Sequence, residues 1–226
     1  MNISNTENFL ISIDGPAGSG KSTICELIAK RLGFTHIDTG SMYRAVTLYA
    51  LNKKLDLNDE KIYDFIDNIE ITQVLENIYL NGKDITKEIR SKKVTENVSL
   101  VSSFTVVRKR LVRLQKELAH GLIIMDGRDI GSVVLPHADI KIFLTADSKT
   151  RAFRRLLQKN IIVTEESLEK EEANLNVRDK YDSTRSDSPL VIPKNAIIID
   201  ATNRTIDQVV TQIIEIILEK RGKSNG

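Results

Sequence analysis

Gly15-Pro16-Ala17-Gly18-Ser19-Gly20-Lys21-Ser22 matches G-x-x-x-x-G-K-[ST] at every fixed position. These residue types suit the holding of phosphate. Glycines let the backbone bend closely around an anion, so that several N–H groups converge on its oxygens. Lys21 adds a cation placed to reach β- and γ-phosphates, and the Ser22 hydroxyl suits a magnesium ligand. The flanks supply the context that the pattern needs. The apolar run Phe9-Leu10-Ile11-Ser12-Ile13 is short enough for a buried strand. Lys21 to Leu32 reads as a helix, whose N-terminus offers unpaired N–H donors and the positive end of a dipole. The competing reading is an ordinary glycine turn before a helix, and both flanks count against it.

Other residues could join this chemistry. Gly121 to Asp126 reads as a buried strand ending in an acid, followed by the loop Gly127-Arg128-Asp129-Ile130-Gly131. Loops at the carboxyl ends of parallel strands are where open α/β sheets bind ligands. Asp126 suits a magnesium-orienting acid acting through water; holding the Arg128 loop is the rival role. Arg178, Asp182 and Arg185 recur at spacings of four and three, which line one helix face. With Arg151, Arg154 and Arg155 they make an arginine-rich lid over about 151–188, as phosphate clamping requires. Arg44 stands in the first turn of a helix, where a cation opposes the dipole. A nearby anion or a salt bridge to Asp38 would each explain it. His36, His120 and His137 stand apart near element ends, and a structural or exposed role suits each of them better than catalysis.

The elements that position these groups alternate strand and helix. Phe34 to Asp38 is a second strand, ended by a helix start at Thr39 with Asp38 or Thr39 as cap. Asn58 to about Glu70 reads as a short helix. From Ile69 to about Lys93 the apolar residues fall into loose alternation, and Asn81-Gly82 is a two-residue hairpin signal. That stretch is expected to be a small antiparallel β insertion. Val94 to Ser103 begins a helix, and Val107, Leu111, Leu114 and Leu118 continue an apolar stripe at helical spacing. Ile140–Leu144 is a strand and Ser148–Lys159 a helix. The charged run from Thr164 to Ser188 reads as exposed helix and loop in its acidic first half. Asn195–Asp200 is a last strand, Thr205–Lys220 a last helix, and residues 222–226 a disordered tail. This order implies an α/β fold with a parallel sheet covered on both faces.

Composition narrows the function. The chain has 226 residues, 41% hydrophobic and 28% charged, which suits one α/β domain with a modest insertion. The 33 basic and 31 acidic residues leave +2, too little for binding nucleic acid by bulk electrostatics. One cysteine, Cys25, excludes an internal disulfide and fits a reducing compartment. The start MNISNTEN has no signal-peptide character, and no apolar run approaches the ~20 residues of a membrane span. A guanine-specifying N-K-x-D is absent, which argues against a GTPase. A small kinase remains: one nucleotide site, a β insertion for the acceptor, and an arginine lid.

At this point a resemblance becomes specific. IDGPAGSGKST, DTGSMYRA, MDGRDIGSVVLPHADIKIFL and RDKYDSTRSDSPL resemble segments of bacterial cytidylate kinases, from Leu10 to about Thr202. The resemblance implies a P-loop NTPase core with a five-stranded parallel sheet flanked by helices, a short lid and an antiparallel insertion. It implies transfer of the γ-phosphate of ATP to CMP, and to dCMP, with Mg2+. Gly15, Pro16, Ala17, Gly18, Ser19, Gly20, Lys21, Ser22 and Thr23 would hold the ATP phosphates, helped by Arg151 and Arg154. Arg44, Arg128, Arg178 and Arg185 would surround the acceptor phosphate or the transferring group, Lys21 and the last three acting in catalysis. Asp182 would face the ribose and Thr39 would line the acceptor site. Ser99, Arg108 and Asp129 would read the cytosine; an Arg108–Asp129 pair that merely braces the loop is the rival reading. Thr105 departs from the proline common in the family, which puts the aim of Arg108 in question. The resulting expectation is a monomeric cytoplasmic enzyme with small nucleotides as partners, and neither nucleic acid nor membrane. A kinase for another small acceptor, such as UMP, AMP or shikimate, and a nucleotide-binding regulatory module are the alternatives.

Overall fold

The computed structural model describes residues 8–224. The polar start of the chain up to Glu7 and the last two residues of the expected tail lie outside the described residues. The chain opens with β1 (Phe9–Asp14), α1 (Lys21–Leu32), β2 (Thr35–Asp38) and α2 (Thr39–Asn52). Three short strands follow: β3 (Ile71–Val74), β4 (Asn77–Leu80) and β5 (Lys83–Asp84). Next come α3 (Lys92–Val101), α4 (Thr105–Glu117), β6 (Leu122–Gly127), β7 (Ile140–Thr145), α5 (Ser148–Gln158) and α6 (Glu165–Thr184). The last elements are β8 (Ile197–Asp200) and α7 (Ile206–Ser224).

β1, β2, β6, β7 and β8 form one parallel sheet in the order β2-β6-β1-β7-β8. β1 is central and apolar because both its faces are covered. Ile11 and Ile13 pack with Ile24 and Ile28 of α1 and with Val210, Ile213 and Ile217 of α7. On the β2–β6 side, Ile37, Ile123 and Met125 pack against Ile130 and Val134. β1 pairs with β6 on one side and β7 on the other, in the register Asp14↔Gly127 and Asp14↔Phe143. Asp14 and Asp126 therefore end neighbouring strands, offset by one residue and directed to opposite faces, at the carboxyl end of the sheet, the edge where such folds bind ligands.

The antiparallel insertion is present, with strands over 71–84 and not to Lys93, and α3 begins at Lys92. Leu80 pairs with Lys83 across Asn81-Gly82, whose φ values of 50° and 76° make the tight turn expected of that dipeptide. The expected helix after Asn58 is a run of 3-10 turns, Glu60–Asn68, begun by Asp59 accepting from Lys61 N. The stripe from Val94 to Leu118 belongs to two helices. Ser102 and Ser103 turn their hydroxyls back onto the carbonyls of Ser99 and Leu100, 3.1 and 2.7 Å away, and so compete with helix continuation. Phe104 turns extended and packs on Tyr63, ring centroids 5.4 Å apart. Thr105 is the first residue of α4, the position where proline suits a helix start. The start is therefore kept without proline. α7 runs on to Ser224, so residues 222–224 are helical and not a disordered tail.

Candidate active site

The glycine-rich loop joins β1 to α1. Gly15 has φ 153°, and a Cβ there would lie 2.0 Å from the Leu144 carbonyl oxygen. Gly20 caps α1 at φ 95° with no side-chain cap bond. The first N–H groups of α1 are thus left for an anion. Lys21 is buried, and its Nζ donates to Pro16 O at 2.8 Å and Ser19 Oγ at 3.3 Å. Burial, and then the charge of Arg128, lower its pKa to about 7. Ser22 Oγ donates to Asp126 Oδ2 at 2.9 Å. His36 Nε2 lies 2.7 Å from Asp126 Oδ1. Burial works against both charges of that pair, but their mutual attraction outweighs it, raising the imidazole's pKa and lowering the carboxyl's.

Sequence reasoning passed over Asp14. It is fully buried, and its two oxygens each accept a backbone N–H at 2.7 Å, from Ile130 and Gly131. Burial raises its pKa to about 6. The strand that feeds the phosphate loop thus also holds the Arg128-Asp129 loop. A carboxylate ending a buried strand was the available signal, the same one that singled out Asp126. Asp126 does not grip that loop with its side chain, which goes to Ser22 and His36; its backbone carbonyl accepts from Thr39 Oγ1 at 2.7 Å.

Above the loop stands a wall of cations. Arg44 donates to Ile89 O and Thr95 Oγ1, each at 3.1 Å, and makes no ion pair with Asp38. Asp38 instead caps α2, accepting from Ser41 N and Oγ. Burial, then Arg178 and Arg155, lower the Arg44 pKa to about 9; burial with Arg128 and Arg155 lowers Arg178 to about 10. Arg128 Nε donates to Asp182 Oδ2 at 2.8 Å, and Arg185 lies 3.4 Å from Asp182 Oδ1. Arg178 Nε and Arg185 Nη2 are buried without hydrogen-bond partners. Arg185 is the residue that ends α6, not part of its face.

The lid differs from its expected form in two ways. Its acidic half is part of the single 20-residue helix α6, and Glu171 is buried between Arg155 at 3.7 Å and Lys159 at 2.7 Å. Arg151, expected to touch ATP, stands behind the phosphate loop and outside the cleft wall. Its guanidinium donates to Ala17 O at 2.9 Å, to Ala146 O at 3.0 Å and to Asp179. Asp179 in turn accepts from Ala17 N at 3.0 Å. Arg151 braces the loop because the exit of β7 points it there. Arg154 does line the cleft, held by the carbonyls of Ala201 and Arg204.

Arg108 and Asp129 pair with each other, Nη2 to Oδ2 at 2.5 Å, so the bracing contact exists. Both are buried yet line the cleft, and Arg108 Nη1 also donates to Ser102 O at 3.0 Å. The break between α3 and α4 provides that carbonyl. Tyr43 lies 5.3 Å from the Arg108 guanidinium, ring to cation. Its hydroxyl is buried without a partner and its pKa is raised by burial.

These groups share one cleft of about 480 Å3, a size usual for a ligand site. Ala17 to Thr23, Thr39, Arg44, Ser99, Arg108, Asp126, Arg128, Asp129, Arg154, Arg178, Asp182 and Arg185 all line it. Gly15 and Pro16 lie beneath the wall, shaping the loop. Arg155 of the expected arginine lid lines it too, and Arg90 and Arg204 add cations that sequence reasoning had not assigned to the cleft. Ser22 Oγ beside the Asp126 carboxylate is an all-oxygen donor set, the kind a hard cation such as Mg2+ takes.

The sheet order, the phosphate loop between β1 and α1, and one arginine-walled cleft define a P-loop kinase of the nucleotide-phosphorylating kind. A solved structure of an uncharacterized protein from Eubacterium ventriosum shares the fold, with TM-score 0.51 at 13% identity over 93% of this chain and 98% of that one. The family described as cytidylate kinase matches residues 11–219. Cytidylate kinases from Acholeplasma laidlawii and Alkaliphilus oremlandii are each 50% identical to this chain, covering 96% and 92% of it and 98% and 96% of those proteins. The Fusobacterium nucleatum cytidylate kinase is 46% identical over 92% of this chain and 96% of its own. The chain belongs to the cytidylate kinase family, ATP-dependent phosphotransferases acting on CMP.

Proposed function

We propose that Lys21 and the N–H groups of Ala17 to Thr23 hold the phosphates of ATP while Arg44, Arg128, Arg178 and Arg185 hold the phosphate of CMP. A phosphate oxygen of CMP attacks the γ-phosphorus, and the bond from that phosphorus to the β,γ-bridging oxygen breaks. CDP and ADP result. The acceptor is largely a dianion at pH 7, because its second pKa is ~6, and so needs no general base. Positioning and charge neutralisation are what such a transfer requires. Mg2+, held through Ser22 and the Asp126 carboxylate, supplies further neutralisation of the phosphates when bound. Arg154 flanks the donor end. Asp182 receives the ribose, Thr39 lines the acceptor site, and Ser99, Arg108 and Asp129 read the base. The same reading takes dCMP as a second acceptor and the chain as a monomeric cytoplasmic enzyme.

The observation that carries this reading is the set of buried guanidinium donors without hydrogen-bond partners, Arg178 Nε and Arg185 Nη2, the latter 4.0 Å from Asp129, beside the phosphate loop. Buried unpaired donors are costly, at ~1–3 kcal/mol or more for charged groups, and anionic ligand oxygens would relieve them. Coupled ADP release with CMP and then dCMP, before and after chelation of Mg2+, tests it. Transfer to both, lost on chelation, is expected. Transfer unaffected by chelation removes the metal assignment, and no transfer to dCMP removes the second acceptor.

A further inference from the structure

Behind Ser22 and Asp126, which line the cleft, lies the edge of the apolar core in which Cys25 packs. Cys25 of α1 and His36 of β2 meet Asp126 of β6 there, and their ligand atoms all lie within 4.8 Å of one another. Cys25 is fully buried, and the His36 side chain is 12% exposed. Phosphoryl transfer from ATP calls for neither a thiol nor an imidazole at this place.

We propose that Cys25 Sγ, His36 Nε2 and the Asp126 carboxylate form a binding site for a borderline-soft divalent cation of the Zn2+ class, distinct in chemistry from the Mg2+ position beside it. Sulfur, nitrogen and oxygen donors together are the set such a cation takes, with bonds of about 2.3, 2.0–2.1 and 2.0–2.2 Å. Tetrahedral bonds of that length put ligand atoms ~3.2–3.7 Å apart. From a spread of up to 4.8 Å the groups would close by up to about 1.1–1.6 Å, while His36 Nε2 and Asp126 Oδ1, now 2.7 Å apart, would open by about 0.5–1 Å. Their backbones are well held: β2 and β6 pair in the register Asp38↔Asp126, and Gln73 Nε2 donates to His36 O at 2.9 Å. A water completes the set.

Charge and access agree with this. Burial and then the negative charge of Asp126, Asp38 and Asp14 hold the thiol's pKa well above its ordinary value, with Lys21 opposing them; that negative charge attracts a cation, which must displace a firmly held proton. Ser22 and Asp126 line the cleft, so a metal ion entering as a nucleotide would meets Asp126 first. Mg2+ prefers oxygen ligands and would not select a thiolate. On binding, the thiol proton and the Nε2 proton that His36 gives to its bond with Asp126 both leave to solvent, metal–sulfur and metal–nitrogen bonds form, and the His36–Asp126 hydrogen bond is lost. Asp126 is then drawn away from Ser22. Zn2+ is therefore expected to inhibit transfer, a consequence that rests on the kinase reading above.

The chain has one cysteine, so a thiolate-to-metal charge-transfer band in the Co2+-loaded protein reports on Cys25 alone. Titration of the full chain with Co2+ is expected to give that band and a tetrahedral visible spectrum at one ion per chain, both displaced by Zn2+. Cys25→Ser should abolish the band. His36→Gln, a change at a partly exposed position, should weaken Co2+ binding by more than the ~10–100-fold typical of losing an outer-shell partner. No band from the wild type in excess Co2+, or a band that persists in Cys25→Ser, overturns the site. Zn2+ that displaces Co2+ yet leaves CDP formation unchanged overturns the inhibition. A wild type that forms no CDP even without Zn2+ would sink the kinase reading and leave the spectroscopic result standing.

Discussion

Removing one member of the Arg108–Asp129 pair should damage stability far more than removing both. Arg108 is 1% exposed and Asp129 is 3% exposed. Breaking a buried ion pair from one side typically costs ~3–5 kcal/mol, whereas replacing both partners with apolar groups is often neutral. The two single changes differ in what they strand. Asp129→Ala leaves the guanidinium with Ser102 O and the Tyr43 ring, neither of them a countercharge, so the upper end of that range applies. Arg108→Met leaves Asp129 with Arg185 at 4.0 Å, a partial substitute, so the lower end applies. The double variant should lose no more than the worse single, giving a coupling of at least ~3 kcal/mol, at the top of the range for residues in contact. Urea unfolding followed by circular dichroism measures all four corners. Additivity within ~0.5 kcal/mol would refute the buried-pair account. The same proteins test base reading. Asp129→Ala should lower CMP efficiency ~10- to 1000-fold, from loss of a charge-assisted hydrogen bond and local rearrangement. UMP efficiency should fall much less, because a carboxylate accepts from the cytosine amino group and opposes the uracil carbonyl. An equal fall for both substrates would assign Asp129 to the loop alone.

Lys21→Ala should lower turnover ~10²- to 10³-fold, the usual loss on removing one contact to developing charge, with an unchanged unfolding midpoint; near-normal turnover would place Lys21 away from the phosphates. Lys21, held at about 7 in the free protein, must be charged against ATP, so binding raises its pKa. Affinity for a non-hydrolysable ATP analogue should therefore be full below pH 7 and fall as pH rises above it, approaching tenfold per unit with proton uptake; calorimetry showing a flat response over about pH 6.5–9 would contradict this. Gly15→Ala should cost more than ~3 kcal/mol or prevent folding, because its Cβ meets a backbone carbonyl at 2.0 Å; a soluble variant with unchanged Tm would show that the loop can move aside.

What could be read in advance was local in the chain. The phosphate loop depends on residues within one turn of each other, and the Asn81-Gly82 turn depends on two backbone angles. The break in the Val94–Leu118 stripe was less legible, because the apolar spacing continues across it while Ser102 and Ser103 end the first helix. Asp14 was missed because its partners lie 116 and 117 residues away, brought to it only by the pairing of β1 with β6. Arg151 was misplaced for a related reason. A cluster of arginines in sequence does not say which of them faces a cleft, and here the first one turns to the back of the phosphate loop. Glu171 looked like part of a solvated acidic face until α6 packed it against Arg155 and Lys159. The Arg108–Asp129 contact was foreseen as the bland alternative, and the structure places that contact inside the cleft that would receive the base.

The central claim is that one cleft carries ATP to CMP transfer and selects cytosine. Initial rates of diphosphate formation from ATP and each common nucleoside monophosphate, at equal low acceptor concentration with Mg2+, test it most directly. CMP should react fastest and give CDP, with UMP far behind because it sets a carbonyl and an N–H against Arg108 and Asp129, and AMP, whose amino group and ring nitrogen repeat the cytosine pattern, slowed by the bulk of its two-ring base. UMP or AMP reacting as fast as CMP, or no CDP at high protein concentration, would contradict the account.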